Sequence, residues 1–115
     1  MMRGQRSGPC PENIRRIRVL FDELKRAGNR GVHLSALLER VNVRLDVSTQ
    51  IRDLPYLHFL LFGRVKRATG ILVGGYLCQV IEPVPGMPRN ARFIRLRPGA
   101  RKREFMKHLR ADGAS

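Results

Sequence analysis

A chain of 115 residues suffices for one compact domain and is too short for two. Lys and Arg number 23 against 9 Asp and Glu, and a net charge of +14 repels itself unless a polyanion offsets it. That balance excludes a cationic partner and puts nucleic acid first. An acidic membrane surface comes second, but no long basic amphipathic helix is there to lie on one.

Hydrophobic residues make up 43% of the chain, while aromatics reach 6% and Trp is absent, so a real but largely aliphatic core is expected. Cys10 and Cys78 have no metal-ligand spacing; two scattered thiols fit a reducing cytoplasm better than a disulfide framework. No apolar signal segment follows the basic start, and no run is long enough to span a bilayer, so a soluble, cytoplasmic protein is expected.

Residues 1–10 carry Gly4, Ser7, Gly8 and Pro9 with Arg3 and Arg6 among them, the composition of a flexible basic arm. Residues 11–110 are then the domain, and 111–115 a flexible tail. The first helix is predicted over Pro11 to Ala27, with Pro11 in its first turn, Glu12 at the positive end of the helix dipole and Gly28 past its end. Ile14, Ile17, Leu20, Phe21 and Leu24 give it one apolar face. Gly28 to Gly31 turns the chain, and Val32-His33-Leu34 suits a short strand. Ser35 is the expected N-cap of a helix from Ala36 to Val41, whose buried stripe is Leu34, Leu37, Leu38 and Val41. His33 is a strand or turn residue on this reading, since no metal-competent partner sits at a matching spacing.

Asn42 to Asp46 is the expected connection, and Val47 to Leu54 the next helix. Val47, Ile51 and Leu54 share one face, and Ser48, Thr49, Gln50 and Arg52 fall on the other with Asp53. Such a polar outer face suits a helix in a major groove, where Gln pairs with adenine, Arg with guanine, and early Ser or Thr with phosphate. Pro55 predicts a break near Asp53 and a second helical piece to Phe62, closed by Gly63. That piece, PYLHFLLF, is apolar all round, as in a deeply buried helix or a subunit interface.

Arg64 to Arg67 alternates basic and apolar residues like a first wing strand, with Thr69-Gly70 as the turn. Ile71 to Ile81 is strand-prone but interrupted by Gly74-Gly75, which allows one bent strand or two short ones. Glu82 to Pro88 reads as a proline-rich loop without regular structure. Arg89 to Leu96 alternates again and is expected to pair against Val65. Pro98 is expected to open a last helix with Phe105, Met106 and Leu109 as its adhesive face. From Arg89 to Arg110 there are nine basic residues and one acid, Glu104.

In order, HLSALLERV, VSTQIRDL, GRVKR and RNARFIRLRPGARKREFMKHL resemble a winged-helix DNA-binding domain, nearest to MarR-type regulators; other winged-helix branches fit equally. The resemblance implies an α+β winged helix-turn-helix with a three-helix core, a β-wing and a C-terminal helix. Its recognition contacts would fall on Ser48, Thr49, Gln50 and Arg52, and its wing-tip arginine on Arg89. The turn into the family's dimerisation helix corresponds to Leu96-Arg97-Pro98. Pro55, the long segment Ala68 to Pro88 and the short terminal helix depart from the family pattern.

The expectation is a homodimeric, sequence-specific regulator of double-stranded DNA, with no cofactor. Its DNA contacts would be Arg44, Ser48, Thr49, Gln50, Arg52, Arg64, Lys66, Arg67, Arg89 and Arg92. Its dimer interface would be Leu57, Phe59, Leu60, Phe62, Phe105, Met106 and Leu109. The alternatives are an architectural or RNA-associated protein that binds without sequence preference, and a small adaptor that grips a protein partner through residues 54–62. No enzyme is expected: His33, His58 and His108 lack partner spacing, and no nucleophile motif is present.

Overall fold

Proline and aspartate decide where the helices begin. The computed structural model describes residues 10–114, leaving out the side chains of Arg89, His108 and 110–114. Helix α1 (Pro11–Ala27) starts on its proline and ends at Gly28, whose N–H returns to the carbonyls of Leu24 and Lys25. Helix α2 (Leu34–Arg44) is longer than expected at both ends. Its cap is not Ser35 but His33, whose Nδ1 accepts the Ser35 N–H at 3.1 Å. Helix α3 (Leu54–Phe62) begins where Pro55 predicts a restart. Asp53 accepts the Tyr56 N–H at 2.9 Å, and the proline sits in the first turn, where its missing donor costs nothing. Helix α4 (Lys102–Ala114) opens four residues after Pro98, because Pro98-Gly99 makes a turn closed by Ala100 N–H to the Arg97 carbonyl. Its backbone continues through 111–114, the expected tail, while the expected arm (1–9) lies outside the described residues.

Three short strands form an antiparallel sheet in the order β1 (Val32–His33), β5 (Phe93–Leu96), β4 (Ile81–Pro83). Val32 faces Ile94, and Glu82 faces Arg95, where carboxylate and guanidinium meet at 2.7 Å. Two expectations are corrected here. Glu82-Pro83 is strand rather than loop; Pro83 is tolerated because β4 is an edge. Arg64-Val65 (β2) does not pair with the 89–96 segment; it pairs with β3 (Leu72–Val73) in a separate hairpin. Residues 71–81 thus hold two short strands rather than one.

This hairpin is fixed to the end of α3 by backbone contact. The Phe59 carbonyl accepts N–H groups from both Gly63 and Gly75 at 2.8 Å, and the Leu60 carbonyl accepts from Tyr76 at 2.9 Å. The returning chain thereby satisfies carbonyls that the end of α3 would leave open. The approach requires glycine: a Cβ on Gly74 would stand 2.7 Å from the Phe59 ring, and one on Gly63 2.6 Å from the Val73 carbonyl. All three glycines also have φ near +70°.

The core is aliphatic, as the composition implies. Ile17, Leu20, Leu24, Leu37, Val41, Leu57, Leu60, Leu61 and Leu77 are fully buried, with Phe21 the one fully buried aromatic among the described residues. Helix α4 closes it: Met106 and Leu109 are buried, and Phe105 stacks on Phe21 at 5.4 Å between centroids. The structure is α+β, with four α-helices and small antiparallel sheets among the described residues. No helix of the described residues is long and apolar enough to cross a membrane.

Candidate nucleic-acid interface

The segment expected to read DNA is not a helix. Val47–Thr49 is a single 3-10 turn, and the chain then runs extended through Gln50 to Asp53. Long-range hydrogen bonds override the local periodicity. The Asn42 amide on α2 accepts the Ile51 N–H at 2.7 Å and donates to the Ile51 carbonyl at 2.8 Å, taking both groups a helix would need. Arg16 donates to the Thr49 carbonyl at 2.6 Å. Val47, expected inside, is 89% exposed, and Thr49, expected outside, is buried. Gln50 donates to the Asn42 carbonyl at 3.1 Å. Ser48 and Arg52 are exposed, so two of the four expected recognition residues are spent on holding the linker. Asn42→Ala would leave the Ile51 N–H and C=O without partners and is expected to lower stability by about 2 kcal/mol. Chemical denaturation of the two proteins measures it; an unchanged midpoint would show that water replaces the clamp.

Two further groups of site residues are corrected. Arg44 is turned inward, with Nη1 at 3.0 Å from the buried Glu23 carboxylate and Nη2 at 3.3 Å from Asp22. The hydrogen bond it donates to Glu23 holds the pKa of its guanidinium above the ordinary value, against a smaller opposing effect of burial. It serves to neutralise the buried Glu23, although part of its side chain remains exposed. Of the expected dimer interface, Leu57, Leu60, Met106 and Leu109 lie in the core of their own chain; Phe59, Phe62 and Phe105 are half-buried. An all-round apolar helix is here mostly a core helix.

The helix that follows α2 is therefore α3, and its outer side is poor in polar groups. Pro55 and His58 are exposed; Tyr56, Phe59 and Phe62 are half-buried. The Tyr56 hydroxyl is engaged, donating to Asn13 Oδ1 at 2.9 Å. Around these rings the cations gather. Tyr56 and Phe59 stack with their planes 14° apart and centroids 6.2 Å apart. The Arg52 and Arg16 guanidinium carbons lie 5.5 and 5.6 Å from the Tyr56 centroid, and that of Arg64 lies 5.6 Å from the Phe59 centroid. Lys66 and Arg67 continue outward from Arg64 along the hairpin, both exposed.

On the other side of Pro55 and His58 a groove of about 540 Å³ is walled by Phe62, Pro83 and Phe93, with Arg92 at its edge. A second groove of about 390 Å³ shares Pro55 and His58 and carries Arg52 and Arg64. Arg92 adopts φ 58° and ψ 36°, the one left-handed non-glycine residue among those described. That conformation costs on the order of 1–2 kcal/mol. It is held by the pairing of β5 and by the Leu34 N–H donating to the Arg92 carbonyl at 3.2 Å. The side chain expected at the wing tip, Arg89, lies outside the described residues, though its backbone forms the 3-10 turn Arg89–Ala91.

The structure thus brings Arg52, Arg64 and Arg92 to the two grooves on either side of the Pro55–His58 ridge, with Lys66 and Arg67 on the adjoining hairpin. Sequence reading put Phe62 at a dimer interface and offered residues 54–62 as a partner-gripping surface, from the excess of apolar residues in PYLHFLLF, but it did not bring Phe93 beside them. Cys78 borders a separate groove of about 530 Å³ against α4, where burial pushes the Tyr76 hydroxyl up from its ordinary value. Among the described residues, no three His, Cys, Asp or Glu side chains gather as a metal site would require. No family model, curated protein or solved structure matches the chain.

Proposed function

We propose that this chain is a winged-helix protein that binds nucleic acid through its phosphates, with α3, the β2–β3 hairpin and the β4–β5 loop as the contact face. The order helix, strand, helix, helix, strand, loop, strand, with β5 between β1 and β4, supports the winged-helix reading. On that reading the wing is the β4–β5 loop, and the β2–β3 hairpin is an insertion between α3 and the wing. Likeness to MarR-type regulators rests on this order of elements. The observation that carries the function is the charge around α3. Arg52, Arg64, Lys66, Arg67 and Arg92 are exposed there, and Asp53, at 3.7 Å from Arg52, is the acid among the groove-lining residues. On a chain of net charge +14, these five cations give that side a means of attracting a polyanion.

Sequence-specific reading of duplex DNA has less support than phosphate binding. A helix in the major groove needs donors and acceptors, and the outward line of α3 offers one polar side chain, His58. A nucleic-acid ligand and the free thiols of Cys10 and Cys78 support a place in the cytoplasm. The adaptor reading draws on the same apolar line of α3. Titrating the protein against pooled random-sequence nucleic acid over a range of salt separates the two. Affinity that falls linearly on a log–log plot is expected, with no strong motif among the retained sequences. Salt-independent or absent binding would remove the nucleic-acid reading, and one enriched palindrome would restore the sequence-specific regulator.

A further inference from the structure

We infer that the preferred ligand is unpaired, single-stranded nucleic acid, with bases stacking in the two grooves that flank the Pro55–His58 ridge. This rests on the nucleic-acid reading above and names the class of ligand. A duplex presents base edges and a smooth backbone, and the outer side of α3 has little to offer base edges. An unpaired strand presents π-faces, which every base has and which aromatic and guanidinium planes accept without regard to sequence. The α3 surface is made of those planes.

The faces of Tyr56 and Phe59 are already covered, by each other and by Arg16, Arg52 and Arg64. A base on that side would meet the exposed guanidinium of Arg52 or Arg64 beside these rings. On the other side of the ridge, Phe62 and Phe93 are half-buried and line the larger groove, and His58 lies 4.7 Å from Phe62 between ring centroids. Both grooves fall within the size of ordinary ligand clefts, about 300–1,000 Å³. They share Pro55 and His58 and so adjoin, and a strand crossing that ridge would follow one track from Arg52 and Arg64 on one side to Arg92 on the other. Phosphates at the ends and bases in the middle match that distribution of charge and apolar surface. Arg92 holds its place at the far end in a left-handed backbone, as the C-cap of the Arg89–Ala91 turn.

The test compares full-length protein binding to labelled oligo-dT and to a random-sequence duplex of equal length, by fluorescence anisotropy at matched salt. The single strand is expected to bind about tenfold tighter. His58→Ala and Phe62→Leu should each weaken the single strand by about fivefold to tenfold and leave the duplex unchanged. His58 is exposed, and leucine keeps most of the packing of Phe62, so both variants should melt close to the parent. A duplex bound as tightly as the strand, or equal losses for both ligands, overturns this inference and leaves phosphate binding standing. Binding to neither ligand overturns both. A self-association dissolved by His58→Ala, with no single-strand preference, would assign the track to a second copy of the chain instead.

Discussion

Replacing Arg64, Lys66 and Arg67 together by alanine is expected to weaken nucleic-acid binding about 100-fold at 0.1 M salt. The estimate follows from counterion release: each phosphate neutralised on a single strand adds about 0.7 to the slope of log affinity against log salt, so three lost contacts remove about two. If the lines converge near 1 M salt, a slope difference of two is a factor of about 100 one decade lower. The loss should therefore shrink steadily as salt rises. All three side chains are exposed, and the turn that carries them closes through backbone bonds, Gly70 N–H to the Lys66 carbonyl at 2.7 Å among them. Folding should be untouched, since surface substitutions of this kind change stability by about 0.5 kcal/mol or less. Anisotropy titrations at four or more salt concentrations read the slope directly. An unchanged slope would take the hairpin out of the interface and leave Arg52 and Arg92 to account for binding.

Leu60→Ala is expected to cost about 3 kcal/mol of stability, the middle of the range for a buried leucine cut back to alanine. Leu60 has no exposed surface and packs on the α3 side of the core beside Leu57 and Leu61. For a domain of this size that corresponds to a fall in melting temperature of roughly 10–20 °C. The oligomeric state should not change, because the side chain does not reach the surface. Calorimetry and sedimentation velocity on the same samples separate the outcomes. A protein that melts as before but loses a dimer would return Leu60 to a subunit interface and contradict the core described above.

What could be read from the residues in order was whatever local chemistry decides. Pro11, Glu12 and Gly28 bound α1 correctly, because a cap and a helix dipole act within one turn. Pro55 placed the start of α3, and the scarcity of aromatics foretold an aliphatic core. The cap of α2 and the start of α4 were moved by local contacts, Ser35 N–H to His33 and Ala100 N–H to Arg97. Most of the misreadings depend instead on partners distant in sequence. Val47, Ile51 and Leu54 share a helical phase, but Asn42 and Arg16 capture the backbone of that segment from two other helices. Arg44 looks like any surface arginine until α1 brings Asp22 and Glu23 beside it. Val65 alternates as well against Leu72 as against Phe93, and the nearer partner, with the cheaper loop to close, is the one it takes. For the candidate site, the cations Arg52, Arg64, Lys66, Arg67 and Arg92 were legible as exposed charge. The grooves between them were not, because one comes from the packing of α3 beside β4 and β5 and the other from the linker and Gly63–Arg64 folding around α3.

The backbone contact between the hairpin and the end of α3 also bears on how this protein can vary over time. Gly63, Gly74 and Gly75 leave no room for a side chain, whereas at Gly70, at the turn, a Cβ would meet nothing within 4 Å and only the φ of +70° still favours glycine. Descendants of this chain can therefore lengthen, shorten or recharge the outer part of the hairpin at little risk to the fold. They cannot change its root without detaching it from α3. Charge and reach become heritable adjustments made at the tip, while the angle at which they are presented is inherited unchanged.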